Sequence, residues 1–506
     1  MRIRKRGEGK TMNRLMKLVT TAAVLAAASA LTPAFAANNA ITVGMVLEPP
    51  NLDPTSGAAA AIREVTYANI FQGLTRFDGN GAIIPDLAKS WDISADGLTY
   101  TFHLVTGVKF HDGSPFSADD VKFSLDRARA PDSTNAQKGL FADIASVDVV
   151  DAATVKITLK KPNGNFLFNM AWGDAVILSP KSIATEATNP VGTGPFKFVN
   201  WVKGDHVELA KFDGYWGTPA KLDKVTFKFI ADPSAAFAAV MAGDVDAFPQ
   251  YPSPETLEQF KADPRFQVIV GSTEGETILA MNNGKKPFDN IKVREAVAHA
   301  INRKEIIDGA MFGYGTPIGT HFAPHNPAYV DLTAQSNYDP EKSKALLKEA
   351  GYPDGFTVSL KLPPPPYARR GGEIIAAQLA KVGIKAEITN VEWAQWLEQV
   401  FKGKDYDLTI VSHTEPMDID IYGRDNYYFN YKSDAFKKIM AELSATTDVA
   451  KRTDLLKAAQ KQIADDYVNA YLFQLARTGV ANAKIVGLWQ NQPTPANDMT
   501  AVYWKD

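Results

Sequence analysis

The sequence predicts an α/β protein of at least two lobes, and two observations lead to that fold class. First, runs with apolar residues at every second position, typical of strands, alternate with segments of helical periodicity. The sequence also lacks the repeat of about 20 to 50 residues that is typical of a solenoid. The 506 residues, 45% hydrophobic and 22% charged, suffice for two or more domains with sizeable cores. We therefore expect layered α/β lobes rather than a helical array.

The N-terminus has the three parts of a secretory signal peptide. A basic segment (MRIRKRGEGKTMNRLMK) precedes an apolar stretch (LVTTAAVLAAASAL) too short to span a bilayer, and Ala34-Phe35-Ala36 follows as a small-residue cleavage site. We predict that residues 1–36 are removed, with Met12 as an alternative start. No cysteine follows the leader, so a lipid anchor is not expected.

Composition excludes several classes of site and partner. The chain has no cysteine, which excludes disulfides, thiolate metal sites and cysteine nucleophiles. Loss of the leader removes seven basic residues and one acidic residue, so the formal net charge falls from −3 to −9. Because an acidic surface repels phosphate backbones and anionic lipid, we expect no nucleic-acid partner.

The polar stretch 108–128, VKFHDGSPFSADDVKFSLDRA, has a structural interpretation. The preceding LTYTFHL and its own VKF alternate apolar and polar residues, which predicts two half-buried strands separated by Gly107. Ser117 and Asp120 have the spacing of a capping box. The helix that follows has one apolar stripe, formed by Val121, Leu125 and Ala128. His111 and Asp112 lack further ligands at metal-binding spacing, so we predict no metal there.

Later segments are interpreted in the same way. VGTGPFKFVNW, from residue 191, predicts a tight backbone at its two glycines followed by a strand, and it lacks the pattern of a phosphate loop. VREAVAHAI, from residue 293, predicts a helix in which His299 is a packed or solvated residue rather than a ligand. The four prolines 363–366 predict a rigid turn, because they disfavour helix and central strand alike.

The chain resembles the large extracytoplasmic solute-binding proteins of peptide-type ABC importers (solute-binding protein family 5). The signature-like segment is AKSWDISADGLTYTFHLVTGVKFHDGSPFSADDVKFSLDRA, residues 88–128. Three further blocks, at 41–54, 191–217 and 281–307, follow in the family's order. Four separated motifs in order are a far stronger indication than any one of them.

The resemblance implies a periplasmic-binding-protein type II fold, with two hinged lobes and an inserted extra domain (cluster C). Lobe I would comprise 37–60, 183–272 and 481–506, domain II 61–182, and lobe III 273–480. The resemblance also implies a monomeric periplasmic receptor without a cofactor or resident metal. It would bind a peptide or peptide-like solute between the lobes and deliver it to an inner-membrane ABC permease and ATPase complex.

The segment 391–431 supplies most of the candidate ligand-binding residues. It combines aromatic side chains with carboxylates, which suit a cationic or polar ligand. By resemblance, Trp393 occupies the position where oligopeptide binders have a pocket tryptophan. Trp396, three residues on, is a second candidate, although both rings could equally pack a core.

The anchor for a ligand's amino group departs from the family pattern. After DYDLTIV, peptide binders usually have a tryptophan followed three residues later by an aspartate, but this chain has His413 and then Pro416. His413, Glu415 and Asp418 are therefore candidates, with either carboxylate as a possible replacement for the usual aspartate. The departure weakens the peptide assignment and leaves an oligosaccharide or another non-peptide solute open.

Two further ligand-binding candidates lie elsewhere, Glu48 after the first strand and Asn282 in the block 281–307. His321 and His325 are four residues apart in a proline-containing loop, which is a poor context for metal ligation. An enzyme is the rival class, but no G-x-S-x-G or H-E-x-x-H motif supports a hydrolase. A secreted chaperone also stays open, since fold does not fix function.

Overall fold

The computed structural model describes residues 39–57, 59–414 and 417–505. The strands are β1 (Ala40–Met45), β2 (Thr75–Phe77), β3 (Ile83–Pro85), β4 (Ala88–Ile93), β5 (Thr99–Leu104), β6 (Ile144–Asp151), β7 (Thr154–Leu159), β8 (Phe196–Val202), β9 (His206–Lys211), β10 (Lys224–Phe229), β11 (Ala247–Phe248), β12 (Phe266–Met281), β13 (Gly315–Pro317), β14 (Phe356–Leu362), β15 (Ile384–Asn390), β16 (Leu408–His413), β17 (Asn469–Asn482), β18 (Ile485–Val486) and β19 (Tyr503–Trp504).

The α-helices are α1 (Ala60–Thr66), α2 (Ala118–Arg129), α3 (Phe166–Ala171), α4 (Pro233–Ala242), α5 (Leu257–Lys261), α6 (Ile291–Ala300), α7 (Arg303–Met311), α8 (Pro340–Glu349), α9 (Pro366–Ala380), α10 (Trp393–Trp396), α11 (Asp434–Ala445) and α12 (Val449–Asp465). Short 3₁₀ turns occur at Lys138–Phe141, Pro254–Thr256, Thr333–Ser336 and Asp418–Gly423, and a π-helical turn at Leu397–Lys402. No helix of the described residues is both long and apolar enough to span a membrane.

The main sheet of the molecule is mixed and has eleven strands. Ten of them follow the order β15-β14-β16-β12-β17-β11-β1-β10-β9-β8, and β13 also pairs with β17. The neighbours β12 and β17, 16 and 14 residues long, are antiparallel and belong to both halves of the sheet. Their ladder is irregular between Ser272 and Glu276, which separates one block of pairs from the next. Such a break is a natural point for two lobes to bend relative to each other.

Separate hydrophobic cores lie on the two sides of this break. One group of buried side chains includes β1, β10 and the C-terminal Val502, and the others include β14, β16 and the helices from α6 onward. The sequence-based boundary at 272/273 coincides with the irregular step in β12. The boundary at 480/481 falls four residues beyond Ala476, the partner of Ser272 in β17. These lobe limits stay predictions.

A smaller domain has its own sheet, in the order β4-β5-β7-β6, covered by α2. Its core runs from Leu74 to Ile177, within the predicted insertion 61–182. In β5, inward residues alternate with half-buried ones, as predicted. The capping box at the start of α2 is confirmed, because Ser117 accepts from the Asp119 N–H while Asp120 accepts from the Ser117 N–H.

Two local predictions were wrong. The VKF segment alternates in burial, but it forms an isolated bridge between Lys109 and Pro115 rather than a strand. The tight turn pairs it with 114–116 through two backbone hydrogen bonds, from the Phe110 N–H to the Ser114 carbonyl and from the Phe116 N–H to the Val108 carbonyl. The proline run does not exclude a helix, since Pro366 is the first residue of α9. Proline is tolerated there because the first helical N–H has no intrahelical partner. The predicted leader, 1–36, lies outside the described residues.

Candidate functional site

Two neighbouring cavities lie against the irregular segment of β12. The larger has a volume of about 810 Å³ and the smaller about 510 Å³. Glu274 and Pro493 belong to the walls of both, so the cavities meet at these residues. Both volumes fall within the range of roughly 300–1,000 Å³ that is usual for ligand pockets.

The larger cavity joins the two halves of the main sheet. Its floor comes from 273–275 of β12 and 475–478 of β17, and its sides from α1, the loop 250–255, the end of α7 and the start of α9. Its wall carries both signs of charge, from Glu64, Glu255, Glu274, Arg370 and Arg477. Separated positive and negative groups suit a ligand that is itself a zwitterion.

Arg477 is the buried cation of this wall, with only 4% of its surface exposed. Its Nε donates to the carbonyl of Pro249 (3.2 Å), and its Nη1 to those of Trp489 (2.6 Å) and Asn491 (3.2 Å). Burial lowers the pKa of Arg477 to about 10, against the attraction of Glu64. The guanidinium therefore stays charged at neutral pH and is held rigidly by backbone carbonyls.

Glu274 is the buried anion at the junction of the cavities, with 7% of its surface exposed. Its Oε1 accepts a hydrogen bond from His325 Nε2 (2.5 Å), and the other ring nitrogen contacts Ser272 Oγ (2.5 Å). Within the described residues its Oε2 has no hydrogen-bond partner. A buried carboxylate oxygen without a donor is costly, and a cationic group of a ligand would offset that cost.

A second buried acid, Glu276, lies two residues after Glu274 in β12. Glu276 is buried, and its pKa is raised well above the usual value by burial, then by the negative charges of Glu274 and Asp418. Glu276 is therefore held neutral.

The smaller cavity has mostly apolar walls. The inserted domain contributes rings and aliphatic side chains, namely Phe77, Ile83, Trp91, Ile93, Tyr100, Leu167 and Phe168. The opposite wall comes from 325–328, Met417 and the residues 447–456 that include the start of α12. One wall comes from the region of the four-stranded sheet and the other from segments after residue 324, so both parts of the chain are needed to enclose this space.

The aromatic candidates from the sequence lie apart from both cavities. Trp396 is buried and donates from Nε1 to Thr409 Oγ1 (3.0 Å), which is the core role left open by its spacing. Trp393 is 41% exposed and packs edge-on against Trp396, with ring centroids 5.7 Å apart. Neither tryptophan lines either cavity, so their binding role stays a prediction.

The polar candidates near β16 are engaged with other side chains. Burial lowers the pKa of His413 to about 4, and its Nε2 is hydrogen-bonded to the Tyr428 hydroxyl (3.0 Å). Asp418 accepts from His321 Nε2 (2.6 Å). Burial raises the pKa of Asp418, but the charge and hydrogen bond of His321 hold it below the usual value. Glu415 lies outside the described residues.

The remaining candidates also have structural partners. Glu48 accepts from Trp201 Nε1 (3.0 Å) and from the backbone N–H of Gly204 (3.1 Å). Asn282 is buried, donates from Nδ2 to the carbonyls of Lys404 and Tyr406 (3.1 Å each), and accepts from Asn430. As with His413 and Asp418, neither is on the wall of either of the two cavities described above.

The sequence analysis missed Glu274 and Arg477. One signal was present, because Arg477 interrupts the apolar strand YLFQLARTGV, and a charged residue inside a central strand needs a partner or a function. The described residues contain no group of three or more histidines and carboxylates arranged to hold a metal.

Known proteins resemble this chain over most of its length. The family described as bacterial extracellular solute-binding proteins, family 5 Middle, matches residues 82–435. The glutathione-binding protein GsiB of Pectobacterium atrosepticum is 38% identical over 391 residues, 75% of this chain and 74% of that protein. The dipeptide-binding protein of Escherichia coli is 32% identical over 459 residues, 81% of this chain and 85% of that protein.

Solved structures share the whole architecture. HbpA2 from Haemophilus parasuis superposes with a TM-score of 0.85 at 27% identity, covering 92% of this chain and 100% of that one. The periplasmic binding protein DppA from Helicobacter pylori, in complex with the peptide STSA, superposes with a TM-score of 0.75 at 29% identity, covering 92% and 98%. These structural neighbours confirm the predicted periplasmic-binding-protein type II fold.

Proposed function

Because the chain belongs to the bacterial extracellular solute-binding proteins of family 5, we propose that it is the periplasmic receptor of an ABC importer and binds a short peptide beside β12 and β17. In this role it captures a solute without converting it, acts as a monomer without a cofactor, and delivers the solute to an inner-membrane permease and ATPase complex. Its leader would direct export.

The observation that supports a peptide is the pair of opposite charges on the larger cavity. A short peptide at neutral pH has an ammonium at one end and a carboxylate at the other. Glu274 offers an anion for the ammonium, and Arg477 and Arg370 offer guanidinium groups for the carboxylate. A neutral oligosaccharide needs neither charge.

The experiment compares Glu274→Gln with the wild type by calorimetry, using Ala-Ala and N-acetyl-Ala-Ala. Losing one partner of a buried charge pair costs about 2–5 kcal/mol, so Glu274→Gln should weaken Ala-Ala binding by roughly thirtyfold or more. N-acetylation should weaken wild-type binding similarly and should add little in the variant, because both changes remove the same interaction.

Asp418→Asn is the matched control. Its carboxylate is already bonded to His321, so this variant should keep the wild-type peptide affinity, although its free energy of unfolding should fall. Wild-type affinity in Glu274→Gln would contradict the anchor. A loss confined to Asp418→Asn would return the anchor to the residue expected from sequence.

A further inference from the structure

The smaller cavity has no role in holding the charged ends of a ligand, yet it adjoins the residue proposed to anchor the ammonium. Glu274 is on the wall of both cavities. A group attached next to an ammonium held at Glu274 therefore has the smaller cavity within reach, while the rest of the ligand continues into the larger one.

Away from Glu274, the walls of the smaller cavity are apolar in practice, because the polar side chains of Arg452, Thr453 and the wall asparagines are already partnered. Arg452 donates from Nη1 to the carbonyls of Leu443 (2.8 Å) and Thr446 (2.9 Å), and from Nη2 to Asn165 Oδ1. Thr453 Oγ1 donates to the Val449 carbonyl (2.9 Å).

The asparagines of the wall are partnered too. Asn80 Oδ1 accepts from Asn491 (3.2 Å), and Asn326 Oδ1 accepts from the Ala328 N–H (2.9 Å). A polar ligand group would gain little here, whereas an apolar group would cover exposed apolar surface. Ile93 and Val449, on opposite walls, are 38% and 78% exposed.

We propose that the smaller cavity is a specificity pocket for a large apolar side chain on the residue that carries the ligand's free amino group. This inference rests on the proposed peptide function and narrows its substrate class. The preferred solute has a bulky N-terminal residue such as phenylalanine, with its ring between the Trp91 side of the inserted domain and the Leu456 side of α12. Both domains must contribute for the pocket to form.

The test is calorimetric titration with Phe-Ala, Ala-Phe and Ala-Ala. Burying a phenyl side chain should make Phe-Ala bind roughly tenfold to a hundredfold more tightly than Ala-Ala. Ala-Phe has the same composition as Phe-Ala but carries the ring on its C-terminal residue, so its affinity should exceed that of Ala-Ala by less than the affinity of Phe-Ala does. Glutathione has a carboxylate rather than an apolar side chain next to its amino group. Because the proposed pocket is apolar, glutathione should bind at least tenfold more weakly than Phe-Ala.

Thr453→Phe would fill the cavity from α12, and Asp454→Phe is the matched control, exposed on the same helix and outside the cavity wall. The first variant should abolish the preference for Phe-Ala over Ala-Ala, and the second should keep that preference. Thr453→Leu adds less volume to the cavity and should partly reduce the preference for Phe-Ala. It tests the same proposal if Thr453→Phe does not fold.

The outcomes separate the two proposals. Three outcomes would overturn the specificity-pocket proposal while leaving the receptor function. They are equal wild-type affinity for the three dipeptides, tighter binding of glutathione than of Phe-Ala, and a preference for Phe-Ala that persists in both Thr453→Phe and Thr453→Leu. Absence of binding by every peptide would overturn the peptide function and the pocket with it.

Discussion

Glu186 provides a quantitative test of buried charge in this fold. Its side chain is fully buried, with Oε1 accepting from Ser182 Oγ and Oε2 from the Val191 N–H (2.9 Å). Burial raises the pKa of Glu186 to about 7, against these two hydrogen bonds. The native state therefore holds the proton more tightly than the unfolded chain, in which the pKa is near 4.5.

The sign of the pH effect follows from linkage. The stabilisation by the bound proton is complete below the unfolded pKa and is lost as the pH rises through the folded pKa. A rise from 4.5 to about 7 corresponds to at most about 3 kcal/mol of unfolding free energy. We expect a loss of about 1–3 kcal/mol between pH 5 and pH 8 from this group.

Glu186→Gln removes the titration and preserves the contacts. The amide oxygen accepts from Val191, the amide nitrogen donates to Ser182 Oγ, and the Ser182 hydroxyl donates to the Ser179 carbonyl, already 3.2 Å away. The variant should match the wild type at pH 5 and exceed it by about 1–3 kcal/mol at pH 8. Urea unfolding followed by tryptophan fluorescence at both pH values measures the difference.

Glu341→Gln is the control, because that side chain is 83% exposed and its replacement should change stability little at either pH. If Glu186→Gln were instead less stable than the wild type by the same amount at both pH values, the native carboxylate would be ionised throughout and the reasoning would fail.

Two glycines give further predictions. A Cβ on Gly164 would lie 1.7 Å from Arg452 Nη1 and 2.4 Å from the Thr446 carbonyl, so Gly164→Ala should displace the inserted domain from α12 and speed peptide dissociation roughly tenfold. Stopped-flow dissociation measures this, and an unchanged rate would argue against a role for that contact in retention. A Cβ on Gly192 would lie 1.9 Å from the Ile70 carbonyl, so Gly192→Ala should lower the free energy of unfolding by about 2–4 kcal/mol. Gly139→Ala, with open space around the Cβ, is the control for urea unfolding, and equal effects of the two would refute the steric argument.

The elements that sequence predicted well have local causes. The capping box of α2 needs only two residues three positions apart, and the alternation of β5 needs only one half-buried strand. The helix α6 follows from its apolar stripe, and His299 within it is packed, bonded through Nδ1 to the Asn337 carbonyl (2.7 Å). Propensity, periodicity and capping agree in each of these segments.

The site residues have no such local cause. Glu274 and Arg477 are 203 positions apart in sequence, and they line one cavity because β12 and β17 are neighbouring strands that pair along most of their length. Their neighbours in sequence reveal neither the pairing nor the cavity. The aromatic-rich segment 391–431 looked more like a binding site because its rings and acids are dense, but much of that density packs a core.

The family-like segment 88–128 contains a histidine, His111, that connects it to the later block 191–217. His111 Nδ1 accepts from the Gly192 N–H (3.2 Å), and its Nε2 donates to the Gly194 carbonyl (3.0 Å), so one family motif is bonded to another about 80 positions away. Burial lowers the pKa of His111 to about 4, which keeps the ring neutral and able to accept and donate at once.

This location explains why family membership and ligand identity are separate questions for this chain. The His111 turn and the Gly192 loop are bonded to each other, so these motifs carry information about the scaffold rather than about the ligand. The residues that we propose to face the ligand lie in the irregular step of β12, in β17 and on the walls of the smaller cavity. Relatives named for glutathione and for dipeptides are similar to this chain over most of its length. Under our proposals the choice of solute comes from those walls, where Thr453→Phe is expected to abolish the preference for a bulky N-terminal residue.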